Sequence, residues 1–334
     1  MTSILAWKGI LAAALAIVLP LQAAAEDELR ERARSSFGNL AQVTAQEIDN
    51  PVARLGRALF WDTRLSADGA TACASCHLAE DWGADRRRRS PDARGAPTKR
   101  HSQTVFNAQR ATAGLRWVAD RSSGADQALG SITGSMGFDS TDALLAALRE
   151  HGYAEAFAKA YPGSAEPLSA AHYADALQAY QETLRTPAPF DAWLGGDDAK
   201  LSAGQRRGLA RFIETGCAGC HAGPLFGGGS LQRFGVRADY RPLTGSGGDD
   251  RGLMEKTGDP AHRDVFRVQP LRNVARTAPY FHDGTVADLA TAVDVMAQVQ
   301  LGQRLAPEAI AEIVDFLGTL SGPVPPHYGP PAAN

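Results

Sequence analysis

The chain contains four cysteines, and all of them belong to one short pattern, Cys-x-x-Cys-His, that occurs twice. Two cysteines at this spacing can form thioether bonds to a haem, and the histidine that follows can bind its iron, so the pattern predicts covalent c-type haem. The cysteines of an exported protein can also form two disulfides, and a Cys-x-x-Cys pair can be half of a zinc site. Neither alternative accounts for a histidine directly after both pairs, and the 144 residues between the motifs are far outside zinc-ribbon spacing. The two candidate haem sites are Cys73, Cys76 and His77 in "CASCH", and Cys217, Cys220 and His221 in "CAGCH".

The first motif raises the question of a second axial ligand. His77 would bind the iron from one side, and a six-coordinate iron needs another ligand on the opposite face. The next histidine along the chain is His101, which lies 24 residues further on, behind four consecutive arginines. A first haem iron with no second axial ligand would favour an enzyme, whereas an iron with two protein ligands would favour an electron carrier.

The amino terminus has the features of a secretory signal peptide over residues 1–25. Lys8 supplies a positive charge, an apolar run of 12 residues covers 10–21, and Ala23 to Ala25 resemble an A-x-A cleavage site. The run is too short for a typical membrane-spanning helix, although an uncleaved anchor is the alternative. No later stretch of the sequence is apolar enough to cross a membrane. We therefore expect an exported, periplasmic protein that is cleaved near Ala25 and has no membrane span.

The charge of the chain is slightly negative overall but unevenly distributed. The sequence has 34 Lys and Arg against 37 Asp and Glu, a formal net charge of −3, which does not favour binding to nucleic acid. Residues 85–121 nevertheless contain ten basic and three acidic side chains. This basic stretch is a solvated loop, a docking surface for an acidic partner, or a source of counter-charge for haem propionates.

Helical periodicity dominates the positioning elements, and alternation typical of extended sheet is scarce. Residues 168–187 have an N-cap residue at Ser169 and end before Pro187, and residues 201–216 lead directly into the second motif. The predicted helices cover 140–163, 168–187, 201–216, 285–298 and 307–320.

These elements predict a mainly α fold of two cytochrome c-like haem domains packed together. A chain of 334 residues is long enough for two such domains. The first would span residues 26–190 and the second residues 191–334, with 188–200 as the connection between them. The two halves look like a distant duplication of one haem unit.

Several segments resemble the bacterial di-haem cytochrome c peroxidases, a superfamily that also includes the tryptophan tryptophylquinone maturation enzyme MauG. "ARLGRALFWDTRLSADGATACASCH" resembles the family's approach to the first haem, "SQTVFNA" (102–108) its helix start after the first haem loop, and "ALQAYQETLRTPAPFDAWLGGD" its inter-domain segment. The most specific piece is "VQPLRNVARTAPYFHDGTVADLATAVDVMAQVQLG" (268–302). The resemblance runs from about residue 52 to residue 321 and implies a peroxidase with two covalently bound haem c groups.

The resemblance implies both axial ligands of the second haem. His221 would be the proximal ligand, and Met296 falls where these peroxidases place the axial methionine of their high-potential haem. A thioether favours ferrous iron, which suits an electron store. Met254 is the competing methionine, and MauG has a tyrosine as this ligand, so the sequence sides with the peroxidases. Trp117, in "GLRWVADR", resembles the family's tryptophan between the haems, which could relay an electron or could simply pack in a core.

The resemblance also implies a calcium site between the domains. Thr277 and Pro279, in "RTAPY", lie where the family offers backbone oxygens to calcium, and such oxygens suit a hard cation. The family's side-chain ligand is an asparagine in a segment like "RNSPT", whereas this chain has His101 in "RHSQT". An imidazole is a poor calcium ligand, so calcium is left open.

The first haem departs from the family at its distal ligand. The peroxidases place a distal histidine sixteen residues after the proximal one, and in this chain that residue is Ala93. No residue of 90–97 is an obvious iron ligand. The iron would therefore be five-coordinate, with His77 below and an open face above.

A second departure concerns the proton that peroxide cleavage requires. The family usually carries a glutamate in a segment like "PxEM", but the matching "GSITGSMGF" (130–138) has no carboxylate. Gln127, Ser131, Ser135 or a water would have to serve instead.

We therefore expect a periplasmic di-haem oxidoreductase that reduces hydrogen peroxide at the first haem, with His77 and Trp117 as catalytic residues. Its electrons would come from a small cytochrome or cupredoxin through the second haem. One alternative is a MauG-like oxidase that modifies residues of a partner protein docked on the basic stretch. Another is a non-catalytic di-haem electron carrier or redox sensor, which the missing glutamate favours. A homodimer is left open.

Overall fold

Two pairs of crossing helices, one in each half of the chain, form the framework of the protein. The computed structural model describes residues 26–332, so the predicted leader lies outside the described residues. Helix α3 (Pro51–Trp61) packs on α7 (Ala170–Glu182), and α9 (Ala203–Glu214) packs on α13 (Pro307–Gly318).

Both helix pairs cross at a glycine. Gly56 on α3 faces the backbone carbonyl of Ala176, and Gly208 on α9 faces that of Glu312. A methyl group at either glycine would overlap with the facing oxygen, so glycine allows the two backbones to approach closely. The crossing of α9 and α13 in turn positions the second haem motif, which begins at Cys217, three residues after α9 ends.

The remaining elements are short. Helix α1 covers residues 26–36, and a π-helix (Ala297–Leu301) directly continues α12. Within residues 26–332, sheet is confined to two antiparallel three-residue strands that pair Leu231 with Arg267. The other elements are α2 (Ala45–Ile48), α4 (Gly124–Thr133), α5 (Thr141–Glu150), α6 (Ala154–Ala160), α8 (Pro189–Leu194), α10 (Arg241–Thr244), α11 (Met254–Thr257), α12 (Leu289–Met296), β1 (Leu231–Arg233) and β2 (Val265–Arg267), with 3₁₀ turns at Cys73–Ser75, Ala79–Asp81, Ala108–Arg110, Asp198–Lys200, Cys217–Gly219, Pro260–His262 and Val274–Arg276.

The expected mainly α fold is confirmed, with one break in a predicted helix. Residues 140–163 form α5 and α6 rather than one helix, because Gly152 between them has a left-handed φ of 78°. Helix α7 begins after its N-cap Ser169, as predicted. The connection 188–200 contains α8, whose Phe190 and Trp193 are fully buried. No helix in the described part of the chain has the length and apolar character needed to span a membrane.

Each half has its own apolar core, and the chain ends are exchanged between the two cores. Phe37, near the amino terminus, belongs to the core of the second half and stacks on Phe226 with 4.0 Å between ring centroids. Tyr328, near the carboxyl terminus, belongs to the core of the first half. The two terminal segments therefore tie the halves together, and the bounds 26–190 and 191–334 stay a prediction.

A repeated asparagine turn also joins the two halves. Asn107 and Asn273 have left-handed φ angles of 61° and 64°, and each precedes a 3₁₀ turn. Both side-chain amides donate to Oγ1 of Thr186, at 2.8 and 2.9 Å. The halves thus repeat one local structure around a shared residue, which is what a duplicated unit would produce.

Candidate haem sites

Each Cys-x-x-Cys-His motif folds into one tight turn. In the first motif the backbone N–H of His77 donates to the carbonyl of Cys73 at 3.2 Å, and in the second the N–H of His221 donates to that of Cys217 at 2.9 Å. Each turn therefore holds two thiols and one imidazole close together. All four cysteines lie in the described part of the chain, and no disulfide joins any two of them, so both pairs can supply the sulfur atoms for thioether bonds to haem.

The two imidazoles are held in the same way. Nδ1 of His77 lies 2.9 Å from the carbonyl oxygen of Gly83, and Nδ1 of His221 lies 3.0 Å from that of Phe226. A carbonyl only accepts, so Nδ1 carries the proton and Nε2 keeps a lone pair for a metal. Burial lowers the pKa of both imidazoles, which favours this neutral form.

A cavity beside the second motif contains the predicted ligand set. It is lined by Cys217, Cys220 and His221 and by Met296, the last residue of α12. Met254, the competing methionine, begins α11 and is not among the lining residues. An imidazole and a thioether in one largely apolar cavity, with two thiols beside them, fit a six-coordinate haem c.

Aromatic residues form the side of this cavity that faces the first half. Trp117 lines it, and its Nε1–H donates to the carbonyl of His101 at 2.8 Å. The rings of Trp117 and His282 meet edge to face with 6.4 Å between centroids, and His282 stacks on Phe266 at 4.5 Å. Trp117 thus contacts the second cavity while it is tied to a segment that follows the first motif.

His101 is buried at the boundary between the halves. Its Nδ1 lies 3.1 Å from the carbonyl oxygen of Arg87, and its backbone N–H donates to His282 at 2.8 Å. Burial lowers the pKa of its imidazole. His101 lines the cavity of the second motif, and its backbone carbonyl accepts the indole N–H of Trp117.

Ala93, at the position of the family's distal histidine, lies in a loop whose polar side chains are used within the first half. Ala93 is 8% exposed, and its N–H donates to the carbonyl of Ser135 at 2.9 Å. Its methyl group packs on Gly137. The carboxylate of Asp92 accepts two backbone N–H groups of its own turn, each at 2.9 Å, and the hydroxyl of Ser90 donates to a buried carboxylate at 2.6 Å.

The groups suggested for proton transfer differ in what they already bind. The hydroxyl of Ser131 donates to the carbonyl of Ala128 at 2.7 Å, inside its own helix. Ser135 is partly exposed beside Ala93. Oε1 of Gln127, on α4, is buried and accepts no hydrogen bond from residues 26–332. Gln127 therefore has an unused acceptor.

Thr277 and Pro279 line the same cavity as His101. Neither backbone oxygen accepts a hydrogen bond from another residue in the described range 26–332. These two oxygens could bind a cation, but the Nδ1 side of His101 is already used by the carbonyl of Arg87.

Most charges of the basic stretch 85–121 are neutralised inside the molecule. Seven of its ten basic residues form ion pairs with carboxylates. Arg100 binds both oxygens of Asp250 in the second half, at 2.6 and 2.7 Å, and Lys99 pairs with Glu255 at 2.6 Å. Lys99 and Arg100 therefore join the halves, the other five pairs lie within the first half, and less of the charge is available to an acidic partner than the sequence indicates.

Two buried polar residues of the cavity have no role in the sequence interpretation. His282 is 3% exposed and Arg267 is 6% exposed. His282 could have been singled out, because it is one of eight histidines and belongs to the most specific segment of the resemblance. Arg267 could not, since an arginine in "FRVQP" looks the same whether it lies in solvent or in a core.

Comparisons with known proteins show what the chain is similar to in sequence and in fold. A family model described as "Di-haem cytochrome c peroxidase" matches residues 50–199. The cytochrome c551 peroxidase of Pseudomonas aeruginosa is 38% identical over 321 residues, which cover 93% of this chain and 91% of that protein. The methylamine utilization protein MauG of Methylorubrum extorquens is 34% identical over 248 residues, which cover 72% of this chain and 67% of that protein. The crystal structure of a MauG-like protein associated with microbial copper homeostasis matches with a TM-score of 0.75 at 26% identity, covering 88% of this chain and 97% of that one.

Proposed function

The chain belongs to the di-haem cytochrome c peroxidase family, an oxidoreductase class with haem c cofactors, and from this premise we propose that it reduces hydrogen peroxide at an open first haem with electrons from its second. The difference between the two sites carries the proposal. Met296 lies in the cavity of His221, whereas the loop at Ala93 offers the first haem no evident ligand.

The cysteines would hold the two haems through thioether bonds. A bound haem supplies an iron that exchanges single electrons and, where a face is open, binds peroxide. Cys73 and Cys76 would attach the first haem, and Cys217 and Cys220 the second.

At the first site, residues of the chain would orient peroxide and move its proton. The bond from Nδ1 of His77 to Gly83 keeps the imidazole fixed and makes Nε2 a better donor to iron. Gln127 has a buried, unused Oε1 that could accept a hydrogen bond from the peroxide O–H group. An amide does not replace a carboxylate as a proton carrier, so we expect slower turnover than a glutamate would support.

Electrons would cross between the haems beside Trp117. Its indole lines the second cavity, and its Nε1–H bond to His101 fixes the ring at the boundary between the halves. The ligands His221 and Met296 would keep the second iron six-coordinate, which suits an electron store rather than a peroxide site.

The test compares single and repeated turnover. The fully oxidised protein should react with peroxide in stopped-flow measurements without prior reduction, and a reduced small cytochrome should sustain steady-state peroxide reduction. A variant with Cys217→Ser and Cys220→Ser should lack the second haem. It should still react once with peroxide, but its rate of steady-state peroxide reduction should fall at least tenfold. An oxidised wild-type protein that is inert to peroxide would contradict the open first site.

A second candidate is a MauG-like oxidase that modifies residues of a partner protein. The similarity to MauG of Methylorubrum extorquens and the open first site favour it. Met296 and the internal pairing of the basic stretch count against it. Such an oxidase would consume peroxide while it oxidises its partner protein, without a small electron donor. A simple electron carrier or redox sensor would not turn peroxide over with a small donor or with a partner protein.

We further propose export to the periplasm through residues 1–25, with a small cytochrome or cupredoxin as the electron donor. Sequencing of the mature amino terminus should give a chain that begins near Glu26.

Calcium is a further proposal, and it depends on the backbone oxygens of Thr277 and Pro279, which accept no hydrogen bond within residues 26–332. Because His101 supplies no oxygen, binding should be weaker than with an asparagine at that position.

A further inference from the structure

Arg267 is a buried cation that faces the second haem cavity. It is 6% exposed, lies at the end of β2 and lines the cavity together with His221 and Met296. Its Nη1 donates to the carbonyl of Gly114 at 2.8 Å and its Nη2 to Oε1 of Gln269 at 3.2 Å. Its Nε is buried and has no hydrogen-bond partner within residues 26–332.

The other buried arginines of the described chain are paired with carboxylates. Arg30 pairs with Asp198, Arg185 with Glu47 at 2.7 Å, and Arg272 with Asp191 at 2.7 Å. Arg267 forms no ion pair with a carboxylate among residues 26–332. The fold therefore supplies an acid to three of these four guanidinium groups and only neutral oxygens to the fourth.

An unpaired buried cation needs an anion. A guanidinium stays charged near neutral pH, and moving it out of water costs several kcal/mol unless an opposite charge compensates it. Burial lowers the pKa of Arg267 to about 10, which still leaves it protonated. Arg267 lines the cavity without a carboxylate partner among residues 26–332, and a carboxylate is the acceptor that a planar guanidinium binds best.

The shape of haem indicates where that carboxylate comes from. Its propionates lie across the macrocycle from the vinyl groups that bond the cysteines. Cys220 lies at the exposed side of the cavity, whereas Arg267 lies at the boundary with the first half, where its backbone N–H donates to Trp117 at 2.7 Å.

We propose that Arg267 binds a propionate of the second haem and acts as a positioning residue that raises the reduction potential of that haem. The inference rests on the proposed function, because it needs a haem held by His221 and Met296. A reduced haem carries one more negative charge than an oxidised one, so a desolvated cation beside it stabilises the reduced form. The same contact places a carboxylate of the second haem beside Trp117, on the side of the first half.

The experiment is a spectroelectrochemical titration of the di-haem protein that resolves the two haems. Arg267→Gln should lower the equilibrium constant for one-electron reduction of the low-spin second haem at least tenfold. This corresponds to a midpoint potential at least 59 mV lower. Arg267→Lys keeps the charge and should remain within about threefold of the wild type. Arg251→Gln removes the same charge from an exposed position that does not line the cavity, and it should also change the constant less than about threefold, since water screens it.

Several outcomes would overturn the inference. An unchanged second-haem potential in Arg267→Gln would do so, as would an equal shift in Arg267→Lys, which would indicate a loss of shape rather than of charge. A larger shift at the first haem would mean that its propionate is the partner.

If Arg267→Gln fails to accumulate, resonance Raman spectra of the wild type and of Arg267→Lys provide the test. The propionate bending band should differ between the two proteins, and identical bands would contradict the contact. A wild-type protein with one haem, or without the far-red sulfur band of His/Met ligation, would instead refute the proposed function.

Discussion

Asp191→Asn should destabilise the protein strongly, because it removes the charge that compensates a buried arginine. Arg272 is 1% exposed and donates to the two oxygens of Asp191 at 2.7 and 2.8 Å. The same carboxylate accepts the backbone N–H of Leu40 at 2.8 Å and that of Ala188 at 2.7 Å. One side chain thus joins the segment after α1, the start of α8 and the segment before the 3₁₀ turn Val274–Arg276.

The magnitude follows from the burial of the pair. Breaking one partner of a buried ion pair costs about 3–5 kcal/mol, since the remaining charge has neither water nor a counter-ion. With an unfolding entropy of about 2.1 cal/mol/K per residue, that corresponds to a loss of roughly 4–8 °C in Tm if the chain unfolds as one unit. Arg272 also donates to the carbonyl of Pro224 at 2.8 Å, and Phe226, two residues on, holds His221. The loss should therefore also weaken the second haem site.

Thermal unfolding followed by circular dichroism and by the far-red sulfur band measures both effects. Asp139→Asn is the matched control, because its carboxylate is fully exposed and lies 3.5 Å from Arg94. Water screens that exposed pair, so its loss should leave the Tm nearly unchanged. Replacing both partners, Asp191→Leu with Arg272→Met, should recover much of the stability that Asp191→Asn loses. A loss of less than about 1 kcal/mol in Asp191→Asn would refute the reasoning.

A pyridine haemochrome assay should give two haems per chain, and Cys217→Ala with Cys220→Ala should leave one; a wild-type value of one would contradict the two sites. Met296→Leu should abolish the far-red band and lower the potential of the second haem, because the soft ligand is lost, whereas loss of the band in Met254→Leu would show that the ligand is misassigned. Electron paramagnetic resonance of the oxidised protein should show one high-spin and one low-spin haem. An entirely low-spin spectrum from which His101→Ala recovers a high-spin signal would make His101 a distal ligand. His101→Asn should bind calcium more tightly than the wild type in calorimetric titrations, because an amide oxygen replaces an imidazole, and equal affinities would argue against calcium at Thr277 and Pro279.

Features encoded in neighbouring residues were predictable from the sequence. A haem motif is complete within five residues, so both Cys-x-x-Cys-His sites could be identified without a fold. Helix α7 was located from its apolar spacing and from Ser169, whose side chain accepts the N–H of His172 three residues later. The break between α5 and α6 was missed, although Gly152 at the break is a local signal, because the helical pattern continues on both sides of it.

The sequence by itself therefore determined the cofactor motifs, the mainly α class and the family, because these depend on residue types at short spacing or in long ordered segments. Tertiary structure decided which charged side chains are buried and which of them form ion pairs. Most ion pairs of the basic stretch are with carboxylates of the first half, and Arg100 meets Asp250 of the second half from 150 residues away. Arg267 lies unpaired beside the second haem cavity while Arg272 lies paired five residues later. Burial and pairing of a charge depend on residues that are distant in the chain and adjacent only after folding, so no local pattern distinguishes these two arginines.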